Sequence, residues 1–193
     1  MKPLPPSQWD PSLQHIIDEM QGRPINLHRL LANHPALLKA WWTYRMYAVH
    51  GGSLELRETE ILILRVAVHM RAWYEWAAHV DRGLAAGLTL DEIERVPKGP
   101  DAEGWHAGDR ALLSAVDSLI QDRCLPGSIR DDLEQHFSDH QIMDIVAIQG
   151  MYVTIACMIG TWDIPIEDEL AARLPPSITP QSFEALLSAA NSH

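Results

Sequence analysis

The chain has 193 residues, 47% of them hydrophobic and 21% charged, with 15 Lys and Arg against 26 Asp and Glu for a formal net charge of −11. That is enough chain for one domain with its own core and no staples, and an acidic balance without a basic patch argues against nucleic acid. Cys124 and Cys157 stand far apart, the start Met1-Lys2-Pro3-Leu4-Pro5-Pro6 has no apolar signal core, and the longest apolar runs are broken by Arg65 or by Gln149 and Gly150. The expectation is a reducing, cytoplasmic setting with no membrane span.

Asp10 before Pro11 has the residues of an N-cap and first helical position, and Ile16, Ile17 and Met20 give the short helix that follows a partial apolar face. Pro35 opens a second helix, aromatic and expected to be largely buried, that runs through Trp41, Trp42 and Tyr44 to the breaker pair Gly51-Gly52. From Leu56 to Val68 apolar residues nearly surround the helix, interrupted by Glu60 and Arg65, which predicts a central core helix. Its β-branched content suits a strand as well, but the run is long for one and no alternating partner is near.

Tyr74 to Ala86 reads as the next helix, stopped by Gly87, and Thr89 with Glu92 has capping-box spacing. Val96 to Trp105 reads as a loop before a helix from about Ala107 to Asp122. Ser128 is the expected cap of a helix to about Phe137, and Ser138 with Gln141 starts a long apolar helix through Ile159. After Asp163 the tail holds four prolines and is expected to wrap the surface before a short amphipathic helix near 183–189. The pattern as a whole predicts an all-α single domain.

Glu60, inside the core helix, is either half of a surface pair with Arg57, one turn earlier, or a carboxylate paired within a pocket. Glu75 and His79 stand at i and i+4, so both side chains project from one helical face. A carboxylate beside an imidazole raises its pKa and orients the ring, which suits an acid or base near neutral pH. Trp73, Tyr74 and Trp76 surround the pair and serve equally as pocket wall or plain core. His136 and His140 share the same spacing, but a Ser138 cap between them breaks the shared face and no acidic third ligand is placed, so neither metal nor cofactor is expected.

Leu54-x-x-Arg57-x-x-Glu60, then Tyr74-Glu75-Trp76-Ala77-Ala78-His79, then Gly83 to Gly87 with Leu88-Thr89-x-x-Glu92-Ile93, resembles the carboxymuconolactone decarboxylase family, to which the alkylhydroperoxidase AhpD branch belongs. The likeness reaches from the His34-Pro35 helix opening to Tyr152, within a domain of about 26–168 flanked by an N-terminal segment 1–25 and a tail 169–193. It implies an AhpD-like helical bundle that assembles as a trimer or a multiple of one, with sites near subunit contacts. The peroxidase branch carries a CxxC pair at the places of Ala72 and Glu75, so its thiol chemistry has no nucleophile and no resolving thiol there.

The resemblance implies instead a cofactor-independent, decarboxylase-type enzyme acting on a small carboxylated lactone or keto-acid-like substrate. His79 would then give or take the proton, with Glu75 its orienting partner and Glu60 a second relay carboxylate. Trp76, Tyr152 and Arg65 are the candidate substrate contacts, and among Arg45, Arg65 and Arg71 the sequence does not choose the one that holds a carboxylate. A non-catalytic oligomeric scaffold, with the same residues as a structural ion network, is the other expectation that the sequence leaves standing.

Overall fold

The computed structural model describes residues 1–190, and among these every regular element is helical. The chain opens with short 3₁₀ turns at Pro6–Gln8 and Pro11–Leu13 and runs into α1 (Gln14–Glu19) and α2 (Asn26–Leu31). The Asp10 carboxylate accepts from the Ser12 backbone N–H at 2.8 Å, as an N-cap does. α3 (Pro35–Met46) starts on a His34 cap and leads into a π-helical turn, Tyr47–Gly51. Contrary to the sequence expectation, α3 is buried only along Leu38 and Trp42, while Leu37 and Tyr44 face outward.

α4 (Leu56–His69) is the axis of the molecule, packed against α5 (Trp73–Ala85), α7 (Ala107–Gln121) and α9 (Asp139–Trp162). Every residue from Thr59 to Val68 is buried, which requires apolar side chains on all sides of the helix. Its start is a capping box between Glu55 and Glu58, and its end turns at Arg71 in a left-handed conformation. The short link returns the chain so that α5 lies along α4.

α6 (Leu90–Arg95) begins at the Thr89–Glu92 capping box, and Gly87, at φ +95°, supplies the left-handed residue that ends α5. α8 (Gly127–Leu133) is shorter than expected and takes Pro126, not Ser128, as its N-cap. α9 starts on Ser138 and Gln141 and is long and apolar enough, by length and composition, to cross a membrane. Its inner face, with Asp144, Ile148, Tyr152 and Ile155, is buried in the core, as befits a central packing helix. The tail carries α10 (Asp168–Ala171) and α11 (Pro180–Ala190), and it does more than cover the surface: Phe183 is 1% exposed and stacks on Trp76 at 5.0 Å.

Arg65 occupies the junction of α4, α7 and the 3₁₀ turn Val96–Lys98. Its guanidinium holds both Asp117 oxygens at 2.6 and 2.8 Å and donates to the Val96 and Pro97 carbonyls at 2.9 and 3.0 Å. Asp117 also binds His69 Nε2 at 2.6 Å. Burial alone would raise the Asp117 pKa, but the bonds from His69 and Arg65 hold it below its ordinary value. With four of its five N–H donors taken up, Arg65 is a structural tie, and it lines neither of the spaces next to His79, contrary to its expected role as a substrate contact.

Replacing Arg65 by Met leaves Asp117 and two carbonyls without their donor. We expect the variant to lose about 3–5 kcal/mol in urea unfolding. Ligand binding at the cavity described below should be unchanged in whatever fraction remains folded.

Candidate active site

The two carboxylates and the imidazole singled out in the sequence sit where α4 and α5 press together, and the structure divides their roles. His79 Nδ1 lies 2.6 Å from Glu60 Oε2, both groups buried. Assigning the ring proton to Nδ1 makes it the donor to Glu60 and leaves a lone pair on Nε2. Nε2 lies 3.4 Å from Arg82 Nη1, and the Tyr152 ring meets the imidazole edge-on with centroids 5.0 Å apart. Arg57, the alternative partner of Glu60, turns away to Asp109 and Glu92.

Glu75 does not orient His79. It is 2% exposed, and neither carboxyl oxygen has a hydrogen-bond partner. A carboxylate ion in that position would forgo nearly all of its hydration with nothing in return, so burial raises its pKa well above the ordinary 4.5. Glu75 is therefore a neutral carboxylic acid. The imidazole also departs from expectation: burial pulls the His79 pKa below 6.5, Glu60 pulls it up, and Arg82 and Arg45 add to the lowering, so the ring is neutral as well.

His79 and Glu75 line a small cavity of about 30 Å³, room for one or two water molecules. His28 from α2, Arg45 from α3, Arg82 from α5 and Tyr152 from α9 complete its polar lining. His28 is 3% exposed, its Nδ1 has no partner, and Trp41 and Trp42 pack on it at 5.5 and 5.4 Å. Burial, then the charges of Arg45 and Arg82, lower its pKa to about 3. An open cleft of about 390 Å³ adjoins this cavity and shares Arg45, Arg82 and Tyr152 with it as the common wall. Glu60 faces that cleft while His79 faces the cavity, so the bond between them bridges the two spaces.

Trp76, expected at the substrate, is fully buried under Phe183 and does not line the cavity. Arg71 is at the surface with Glu184. Cys124 and Cys157 are both exposed, and neither lines the cavity. Two contributors escape the sequence reading. Arg82 was accessible to it, since it follows His79 by one turn on the same face. His28 was not, because it belongs to a six-residue helix far away in sequence whose place depends on tertiary packing.

Glu75 should leave a signature in stability against pH. The folded chain keeps a proton that the unfolded chain releases above about 4.5, so the stabilising contribution is whole below that pH and is lost as pH rises, by at most about 1.4 kcal/mol per unit. His28, neutral when folded, acts oppositely: its contribution is whole above 6.5 and is lost as pH falls toward about 3. Urea unfolding of wild type and Glu75→Gln from about pH 4 to about pH 9 should show the difference between them growing with pH. A constant difference would mean that Glu75 is ionised in the fold.

Residues 35–118 match the model of the Carboxymuconolactone decarboxylase family. No curated protein matches the chain by sequence. Among solved structures, the chain is similar to a peroxidase-related protein with an alkylhydroperoxidase AhpD core from Ralstonia eutropha JMP134, at 20% identity over 88% of this chain and 93% of that one, with a TM-score of 0.76. A peroxidase-related protein from Silicibacter sp. TM1040 gives 18%, 88%, 93% and 0.73. The debrominase Bmp8, in complex with 2,3,4-tribromopyrrole, gives 15%, 89%, 93% and 0.75. At such identities the likeness is one of fold. Residues 35–118 thus resemble the Carboxymuconolactone decarboxylase family, and the chain has an all-α, AhpD-like fold without the CxxC pair.

Proposed function

We propose that the protein is a cofactor-independent enzyme that transfers a proton on a small carboxylated substrate, with decarboxylation as the reaction. The observation that carries this reading is the buried 2.6 Å bond between His79 and Glu60, beside a second carboxyl group with no partner at all. Loss of carbon dioxide from a β-keto acid or carboxylated lactone leaves an enolate-type carbanion, which must gain a proton. A neutral carboxylic acid facing the cavity is a suitable donor.

In this scheme Glu75 gives its proton, relayed by water in the small cavity, to the carbanion in the adjoining cleft and becomes a carboxylate in a site that disfavours charge. It regains a proton through water in the cavity and the His79–Glu60 pair, which reaches the open cleft; the net change is one carbon dioxide released and one solvent proton taken up. Thiol peroxide reduction would need cysteines where Ala72 and Glu75 stand. We further propose that the protein works as a homo-oligomer, a trimer or a multiple of one. In support, Tyr44, Tyr47, Met143 and Val146 leave apolar surface exposed on α9 and the neighbouring end of α3.

Carbon dioxide release from small carboxylated lactones and β-keto acids tests the proposal. His79→Gln and Glu75→Gln should each lower the rate about 10²–10⁴-fold with the fold retained. Rates equal to wild type would overturn the assignment, and a large loss of stability in His79→Gln, with no turnover by wild type, would favour the scaffold reading. Light scattering on Val146→Glu should report a smaller assembly than wild type.

A further inference from the structure

Two positive charges line the site of this acidic chain, and the one carboxylate that shares the cleft with them, Glu60, is bonded to His79 and forms no ion pair with either. Other partly buried arginines have firm acceptors: Arg57 holds Asp109 at 2.7 and 2.9 Å and Glu92 at 2.6 Å, Arg65 holds Asp117, Arg29 donates to the Leu4 carbonyl and Arg95 to that of Gly104. Arg45 and Arg82 are partly buried too, yet among the described residues neither forms an ion pair. Arg45 lies over the Trp42 ring at 4.8 Å and reaches Met46 Sδ at 3.4 Å. Arg82 has only its long contact to His79. Glu19, whose charge acts on Arg45, is engaged by the Trp42 indole N–H at 2.7 Å.

These guanidinium groups are near neighbours, for after burial it is the charge of Arg82 that most lowers the pKa of Arg45. Their place in the fold matters as much as their charge. They line both the small cavity, with Glu75 and His79, and the cleft of about 390 Å³, so a ligand held in the cleft lies against them on the side next to His79. Thr59 and Glu60 add polar groups on the cleft side, and apolar lining comes from Val49, Leu56 and Ile63 there and from Leu27, Met151 and Ile155 on the cavity side.

We propose that Arg45 and Arg82 together receive the carboxylate of the substrate and direct its apolar or unsaturated body toward His79 and Glu75. The proposal rests on the proton-transfer reading of that site and names its specificity residues. Planar guanidinium forks match a carboxylate bidentately, and an entering anion relieves the repulsion between two like charges in a partly dry setting. The size of the spaces limits the ligand to a small molecule. An uncharged isostere would bring no such relief and should be rejected.

Thermal unfolding and calorimetric titration at fixed ionic strength, with benzoate as probe, benzamide as its uncharged counterpart and inorganic phosphate as a competing anion, test this. Benzoate should bind wild type and His79→Gln saturably, and benzamide should not. Arg45→Met and Arg82→Met should each weaken benzoate at least about tenfold, a loss of about 1.4 kcal/mol. Arg45→Lys and Arg82→Lys keep the charge without the fork and should fall between; they also decide the matter if a Met variant fails to fold. Absence of saturable benzoate binding by wild type, unchanged affinity in the Met and Lys variants, or phosphate binding as tightly as benzoate would each overturn the proposal. Benzoate binding intact in His79→Gln, with turnover equal to wild type, would overturn the proton-transfer reading and leave the carboxylate receptor standing.

Discussion

The hydrogen bond between Glu60 and His79 constrains the centre of this protein more than any other polar contact. It joins α4 to α5 at a place where almost every other side chain is apolar, so neither group has an alternative partner of comparable quality. A buried pair of this kind contributes little net stability against well-packed apolar side chains, but breaking it leaves an unpaired polar group in the core. It therefore fixes the register of the two helices and the tautomer of the ring. Nε2 is left facing the cavity, with Tyr152 against the ring and Arg82 one turn away.

Around that bond, burial reverses the charge states that residue names suggest. Glu75 is an acid that keeps its proton, while His28 and His79 are imidazoles that decline one. The formal positive charge of the site is carried by Arg45 and Arg82, both partly buried. A site with two arginines that form no ion pair, and a single carboxylate, Glu60, tied to His79, differs from the chain as a whole, at a net charge of −11. Such contrast between surface and interior suits a site that takes in an anion and moves a proton.

The same architecture supports more than one chemistry, because the helices supply positions and the side chains at those positions supply reactivity. At the start of α5, a family branch with two thiols can reduce peroxide. This chain has Ala72 and Glu75 there, and Glu75 is 2% exposed and lines the small cavity. Where that branch has a thiol, this chain has a buried carboxyl group.

Much of the fold was legible in the residues themselves. Capping boxes at Thr89–Glu92 and Ser138–Gln141, the all-round apolar pattern of α4 and the glycine stop after α5 are local signals, and local hydrogen bonding realises them directly. The exposure of α3 and the cap of α8 were not, since both depend on which face a neighbour covers. Within the site, helical spacing brought Glu75 and His79 to one face, and the family pattern added Glu60 and Tyr152. Only tertiary structure decided which carboxylate meets the imidazole, that Arg65 and Trp76 belong to the frame, and that His28, Arg45 and Arg82 line the cavity. The reason is physical: a helix period tells which side chains share a face, while protonation, pairing and access depend on what the rest of the chain places opposite that face.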